Sequence, residues 1–256
     1  MKKTLLLLLA LTTAAVAGEY GVTLLEVDFT KVSKLPSGWS EGSYKDKGAQ
    51  FGFSPEKGAI LVGSKGWEIR YMETQLSLSS RASSQINFEL YNNHNDSTTG
   101  VENSMYLTSS SGHYSIIVGN SLYDSDAEPS NDGVYVGLLD ADVGDSIYYL
   151  SKYQEPDGST IGPITDIQPS ADAAYTLTFA DGKLSVRIID ANGNEWSSMN
   201  PYSVPDVTFD TIGFVVCAEL EKNGVKNVSV RTVPEPAMSV LSLLSLAGLA
   251  ARRRRR

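Results

Sequence analysis

YTLTFADGKLSVRIIDANGNEW, Tyr175 to Trp196, is the stretch that decides the fold. Ala174 to Ala180 and Lys183 to Ile189 are rich in Tyr, Thr, Phe, Val and Ile and have a period of two, the pattern of strands with one face buried. Asp181-Gly182 stands between them. A two-residue turn that matches the right-handed twist of a β-hairpin needs positive φ at both central positions, and Asp-Gly or Asn-Gly supplies it at least cost. Asn192-Gly193 offers the same chemistry after the second strand.

Working outward, the same period recurs at Val22 to Phe29, Gln85 to Tyr91, Val207 to Val216 and Lys226 to Thr232. In Gln85 to Tyr91, Ile86, Phe88 and Leu90 face one way and Asn87 and Glu89 the other, so one side is core and the other solvent. Shorter runs predict strands at 50–53, 59–62, 67–78, 104–107, 114–118, 134–138 and 146–150. Thirteen short strands with no helical periodicity between them predict an all-β, two-sheet sandwich. Polar stretches at 92–103, 120–133 and 151–172 are too long for simple turns, and loop-borne function would reside there.

The hairpin from Tyr175 to Trp196 resembles the central hairpin of concanavalin A-like jelly rolls, the lectin and laminin-G-like superfamily. In that group a final strand of the DTIGFVV type, here Asp210 to Val216, runs close to the C-terminus, and an opening strand like Leu25 to Phe29 pairs near it. The resemblance implies a jelly-roll-like sandwich. It leaves function open, because that fold hosts lectins, hydrolases and inert modules.

Both ends of the 256-residue chain read differently from its body. Lys2 and Lys3, the apolar run Leu5 to Leu11 and the small-residue site Ala15-Val16-Ala17 form a secretory signal peptide over residues 1–17, cut before Gly18. At the other end, residues 233–256 read VPEPAMSVLSLLSLAGLAARRRRR. Pro234 and Pro236 discourage helix before an apolar run from Ala237 to Ala251. As helix that run spans roughly 22 Å, short of the roughly 30 Å hydrocarbon core, and snorkelling of the basic end covers the deficit. Arg252, Arg253, Arg254, Arg255 and Arg256 mark the cytoplasmic side.

This tail is similar to the PEP-CTERM sorting signal of bacterial surface proteins. The resemblance implies a precursor tethered in the inner membrane, cleavage by an exosortase at the Val233-Pro234-Glu235-Pro236 motif, and release to the cell surface or extracellular matrix. A permanent C-terminal anchor satisfies the same residue physics. Ser239, Ser242, Ser245 and Gly248 make a small-residue stripe suited to packing on another membrane helix, although serines are also simply tolerated there.

The body between, Gly18 to Thr232, is long enough to bury about 70% of its unfolded surface as one domain. It holds 14 Lys and Arg against 29 Asp and Glu, an acidic balance that argues against nucleic acid or anionic lipid as its partner. Neutral polymers and metal ions suit it better. Cys217 is the only cysteine, so no intramolecular disulfide forms and stability must come from the core.

Motifs for catalysis are missing. Jelly-roll glycosidases carry a Glu-x-Asp-x-x-Glu pattern; here Glu26-Val-Asp28 is followed by Lys31 where the second glutamate belongs. Glu26 and Asp28 therefore read as strand-start charge. His94 and His113 are the only histidines, with neither a metal-ligand spacing nor a nucleophile motif beside them. No catalytic residue is assigned. Carboxylates do cluster: Asp124, Asp126, Glu128, Asp132, Asp140, Asp142 and Asp145 fall within 22 residues. Calcium takes six to eight such oxygens, so Asp124, Asp126, Glu128 and Asp132 are candidate ligands, against a simple solvated acidic face. Asp140-Ala-Asp142 and Asp190 to Asn194 lack the sixth-position glycine of an EF-hand loop. Trp39, Trp67, Trp196 and the thirteen tyrosines hold either core positions or a sugar-stacking platform. The expectation is an exported, non-enzymatic surface or matrix protein with a structural or interaction role. The alternative is a lectin-like module for surface polysaccharide, marked by an aromatic cluster exposed on a concave face; a hydrolase would need two carboxylates facing each other in a groove instead.

Overall fold

Asp181 and Gly182 both take positive φ, 50° and 69°, and close a two-residue turn between strands whose ends pair as Ala180 with Lys183. This is a computed structural model; it describes residues 21–45, 48–63, 68–92, 102–111, 113–121, 133–140, 153–154, 160–161, 167, 171–198, 201–218 and 223–233. Described elements are all strands: β1 (Thr23–Asp28), β2 (Trp39–Lys45), β3 (Gln50–Ser54), β4 (Gly58–Val62), β5 (Glu68–Ser79), β6 (Ser84–Asn92), β7 (Glu102–Ser109), β8 (Tyr114–Ser121), β9 (Gly133–Asp140), β10 (Tyr153–Gln154), β11 (Thr160–Ile161), β12 (Ala173–Ala180), β13 (Lys183–Asp190), β14 (Glu195–Ser197), β15 (Tyr202–Ser203), β16 (Thr208–Ala218) and β17 (Asn223–Thr232). All described pairings are antiparallel.

Two sheets face each other. The nine-stranded sheet runs β14-β13-β12-β6-β17-β4-β3, with β1 also on β17 and β15 also on β13; the six-stranded sheet runs β2-β5-β16-β7-β8-β9. Alternation does the sorting: β6 is buried at every second residue, and Ile86, Phe88 and Leu90 are each at most 1% exposed. Their neighbours Tyr175, Leu177 and Phe179 on β12 and Leu184, Val186 and Ile188 on β13 complete that inner face. Phe209, Ile212, Phe214 and Val216 on β16, with Met105 and Leu107 on β7, supply the opposing one. Aromatic rings tie the layers together. Phe88 stacks on Tyr175 with centroids 4.6 Å apart and meets Phe214 of the other sheet edge-on at 5.8 Å, a geometry that adds about 1 kcal/mol per pair beyond burial.

Polar groups also cross the gap. Asn103, fully buried on β7, donates through Nδ2 to Tyr91 O, Asn92 Oδ1 and Gly224 O of the other sheet at 2.9 to 3.0 Å. Glu68, fully buried at the start of β5, accepts from Ala49 N at 2.8 Å and meets Arg70, whose guanidinium also donates to Ala49 O.

Several expectations need correction. Strand β2, WSEGSYK, carries too little apolar residue to register in the sequence, yet it pairs along β5 as an edge. The pairs β10–β11, β13–β14 and β13–β15 are short additions, the first inside the stretch read as loop. The DTIGFVV strand, β16, is not the final one: β17 follows it in the opposite sheet, and the opening strand pairs with β17. Glu26 and Asp28 close β1 rather than start it. Asn192-Gly193 is not a two-residue hairpin: Asp190 turns its carboxylate onto the loop, accepting from Asn192 N, Asn194 N and Asn194 Nδ2, and four residues separate β13 from β14. The expected strand at 146–150 lies outside the described residues.

Candidate functional site

The outward face of the six-stranded sheet is where the described side chains converge. Cross-strand register places Ser40, Glu73, Gly213, Tyr106, Ile117 and Gly137 in one row across all six strands. The next row is Gly42, Tyr71, Val215, Ser104, Gly119 and Tyr135. Met72, Phe214 and Met105, one residue along on β5, β16 and β7, point into the core, which fixes the direction of these rows as outward.

Glycine shapes this face. A methyl group built at Gly213 would overlap Cζ and Oη of Tyr106, and one at Gly42 would overlap the same atoms of Tyr71. Each tyrosine therefore leans across the neighbouring strand and covers a glycine, and each is half-buried. The two rings are offset by about two strand spacings and two residues, roughly 12 Å. Tyr106 Oη donates to Glu73 Oε2 at 2.6 Å, which holds the ring in place and leaves the other carboxylate oxygen free of that bond. In the floor beside Val215, Ser104 Oγ is buried with no hydrogen-bond partner among the described residues. Thr108 Oγ1 and Ser115 Oγ lie 3.3 Å apart one row further, and Thr211 occupies the same row on β16. Two tyrosine rings, a carboxylate acceptor and the hydroxyls of Thr108, Ser115 and Thr211 thus share this face, groups that can stack and hydrogen-bond. Among the described residues of these two rows Glu73 is the single carboxylate, so the pair of facing acids that hydrolysis requires is not formed by them.

The motif residues fall elsewhere. Glu26 pairs with Arg231 at 3.3 Å and Asp28 with Lys31 at 2.6 Å, on the nine-stranded sheet. Lys31, Thr30 and the Thr30 amide hold the Asp28 carboxyl below its ordinary range. The residue that breaks the glycosidase pattern is thus the partner of its middle acid. Trp39 packs between Phe29 and Phe214, and Trp196 packs against the core, so neither is a sugar platform; Trp67 lies outside the described residues. His113 sits exposed in the turn after β7, its amide donating to Ser111 Oγ. His94 lies outside the described residues, and of Cys217 only the strand position is described. Tyr71, Tyr106 and Glu73 were missed as a group. The signal that points to them is a glycine in a strand interior, Gly213 in DTIGFVV, which marks close approach by another group.

Asp124, Asp126, Glu128 and Asp132 lie outside the described residues, as do Ala15, Ala17, Pro234, Glu235, Pro236 and Arg252 to Arg256. Topology still bears on the acidic cluster. Strand β9 begins after Asp132 and ends at Asp140, so its seven steps carry Asp140 roughly 23 Å from the strand's start. Ligands to one calcium lie within about 2.6 Å of it, so Asp140 belongs with a different end of the sheet.

On the other sheet's outer face, Lys226 Nζ contacts Asp172 Oδ2 at 2.6 Å and Glu89 Oε1 at 3.0 Å, and lies 6.0 Å from the Tyr91 ring centroid. Burial alone would lower its pKa; the hydrogen bonds and charges of the two carboxylates outweigh that and raise it. Asp172 also accepts from Asn92 N at 3.0 Å. One ammonium here serves two carboxylates, and Asn227 Nδ2 donates to the other Glu89 oxygen at 3.1 Å.

No protein-family model matches the sequence, and no curated protein matches it. Solved structures do match. Lectin UEA-II complexed with galactose aligns with TM-score 0.53, covering 82% of this chain and 99% of its own at 14% identity. The VIP36 exoplasmic/lumenal domain in its Ca2+-bound form aligns with TM-score 0.55, covering 84% and 92% at 10% identity. A seed lectin of Lotus tetragonolobus gives 0.50, covering 83% and 100% at 12% identity. At such identities the likeness establishes the fold alone: a two-sheet, lectin-type jelly roll.

Proposed function

We propose that this chain is a non-enzymatic, carbohydrate-binding surface protein whose sandwich takes an uncharged polysaccharide across Tyr71, Tyr106 and Glu73. The observation that carries the reading is the pair of tyrosine rings laid over Gly42 and Gly213 with the Glu73 carboxylate bonded to one of them. A pyranose offers an apolar face to an aromatic ring and hydroxyls at its rim, and covering about 40 Å² of ring contributes about 1 kcal/mol. Two rings roughly 12 Å apart favour an oligosaccharide over a single sugar. The surplus of acidic residues in the body and the Glu73 carboxylate disfavour uronic or sulfated polymers. The galactose in the UEA-II complex is consistent with this ligand class.

Delivery completes the proposal. The signal peptide over 1–17 and the PEP-CTERM-like tail over 233–256 carry the body out of the cytoplasm, tether the precursor in the inner membrane, and pass it through an exosortase to the cell surface or matrix. Binding to the polysaccharide of that layer is then its interaction role. A glycan array of residues 18–233 tests the first part. Neutral oligosaccharides should be retained, and Tyr71→Ala with Tyr106→Ala should lose them by roughly 30-fold for about 2 kcal/mol. Retention unchanged in the double variant refutes the site. Intact mass tests the second part, since arginines 252–256 kept on the mature surface form refute processing.

A further inference from the structure

We propose that the body stands on the membrane through the pole where its first and last strands meet, and that this pole contacts lipid. The inference rests on the sorting reading above. Thr232 N donates to Val22 O at 2.9 Å and Val22 N donates to Thr232 Oγ1 at 2.9 Å, so the two ends of the body are bonded to each other. Val233 N continues the contact, donating to Ser83 O at 2.8 Å. Large apolar side chains are exposed at three described positions, Val22 at 66%, Leu24 at 41% and Val233 at 41%. All three belong to this junction, Leu24 being the extra residue where the β1–β17 register shifts between Thr23 and Leu25. Three such residues gathered at one place form a patch that water covers poorly.

Chain length identifies what covers it. Past Val233 come only Pro234, Glu235 and Pro236 before the apolar run Ala237 to Ala251. Four residue steps reach at most about 14 Å, so a run seated in the bilayer holds this pole at the headgroup layer. Arg81 lies 3.7 Å from Asp181 and from Asp206, and Arg231 pairs with Glu26, so these three carboxylates of the pole each have a cation beside them. With strands rising from the membrane, the outward face of the six-stranded sheet looks sideways, along the layer rather than away from it.

The test uses residues 18–256 reconstituted into phosphatidylglycerol–phosphatidylethanolamine vesicles with a headgroup-attached quencher. In a Cys217→Ser background, a fluorophore is placed at Val22→Cys or at Ala191→Cys, an exposed site at the far end of β13. The Val22 label should lose most of its emission and the Ala191 label should keep it. Equal emission from both labels on protein that floats with the vesicles overturns the apposition and leaves the anchor standing. Protein that fails to float overturns both. Leu24→Asp with Val233→Asp separates lipid contact from mere tethering: flotation should persist while quenching at Val22 falls. Unchanged quenching in that variant overturns the contact.

Discussion

Gly213→Ala perturbs the proposed site without removing any group that could touch a ligand. The added methyl would overlap the end of the Tyr106 ring, which must shift to make room, and that shift breaks its 2.6 Å bond to Glu73. A hydrogen bond to a charged acceptor contributes about 1.5 to 3 kcal/mol, and half-exposure brings this one to about 1 kcal/mol. Replacing glycine in an extended strand returns roughly 0.5 to 1 kcal/mol by restricting the unfolded chain. Net stability should therefore stay within about 1 kcal/mol of the parent in urea denaturation. Affinity should respond more. Losing the Tyr106 platform and the fixed Glu73 oxygen costs about 1.5 kcal/mol, roughly a tenfold weaker dissociation constant. Affinity electrophoresis in gels containing the neutral polysaccharide that scores best on the array reads this directly. Tyr106→Phe is the companion: it loses the hydroxyl bond, keeps the ring, and should bind within about threefold of the parent, about 0.6 kcal/mol. If Gly213→Ala migrates as the parent does while its fold is intact, the ring over Gly213 is not part of the binding surface.

Tyr175→Phe should leave stability unchanged or raise it by about 1 kcal/mol, because the buried Tyr175 hydroxyl has no partner among the described residues and its desolvation is uncompensated; a fall of that size in urea would refute this. Burial also pushes the Tyr175 phenol pKa far up, and that of Lys226 is raised by its two carboxylates. Both contributions are complete below the unfolded values and vanish as pH rises: the unfolded phenol ionises near 10 and the unfolded amine near 10.4, while the folded groups keep their protons. The urea midpoint should be flat from about pH 7 to 9 and fall above about pH 10, less steeply in Tyr175→Phe; identical alkaline limbs would show that the phenol is not responsible. Gly58→Ala should cost about 3 kcal/mol, since φ is +74° and the new methyl would overlap the backbone oxygen of Val225, which cannot move without opening the β4–β17 pairing. Little change in its denaturation midpoint would mean that β4 is not held as described.

The fold was legible wherever a strand is half-buried. Ile86, Phe88 and Leu90 alternate because one side of β6 is core, and Asp181-Gly182 announces its turn because few other pairs tolerate its dihedrals. Strand β2 escaped notice for the opposite reason: it lies at an edge, and Gly42 is kept bare so that Tyr71 can cover it, which removes the apolar alternation a reader relies on. The candidate site was hidden by distance along the chain. Gly42, Tyr71, Glu73, Tyr106 and Gly213 come from four strands and are brought together only by register, and Glu73 alone looks like any solvent-facing strand residue. Asp140 looks like part of one cluster with the acids before Gly133 for the converse reason, since the length of β9 parts it from the start of that strand.

β17, the last strand of the body, does not sit at an edge. It lies inside its sheet, bonded to β6 on one side and to β1 and β4 on the other. A chain made from its N-terminus onward therefore holds β1, β4 and β6 without the strand that joins them until residues 223–232 have emerged. Contacts of such sequence separation form slowly, because the intervening loop must close before any of them is gained. During that wait β6 offers an unpaired edge to any other extended chain. Completion of the sheet is thus a late, all-at-once event, and a protein cut short before Asn223 loses the centre of its larger sheet rather than its margin.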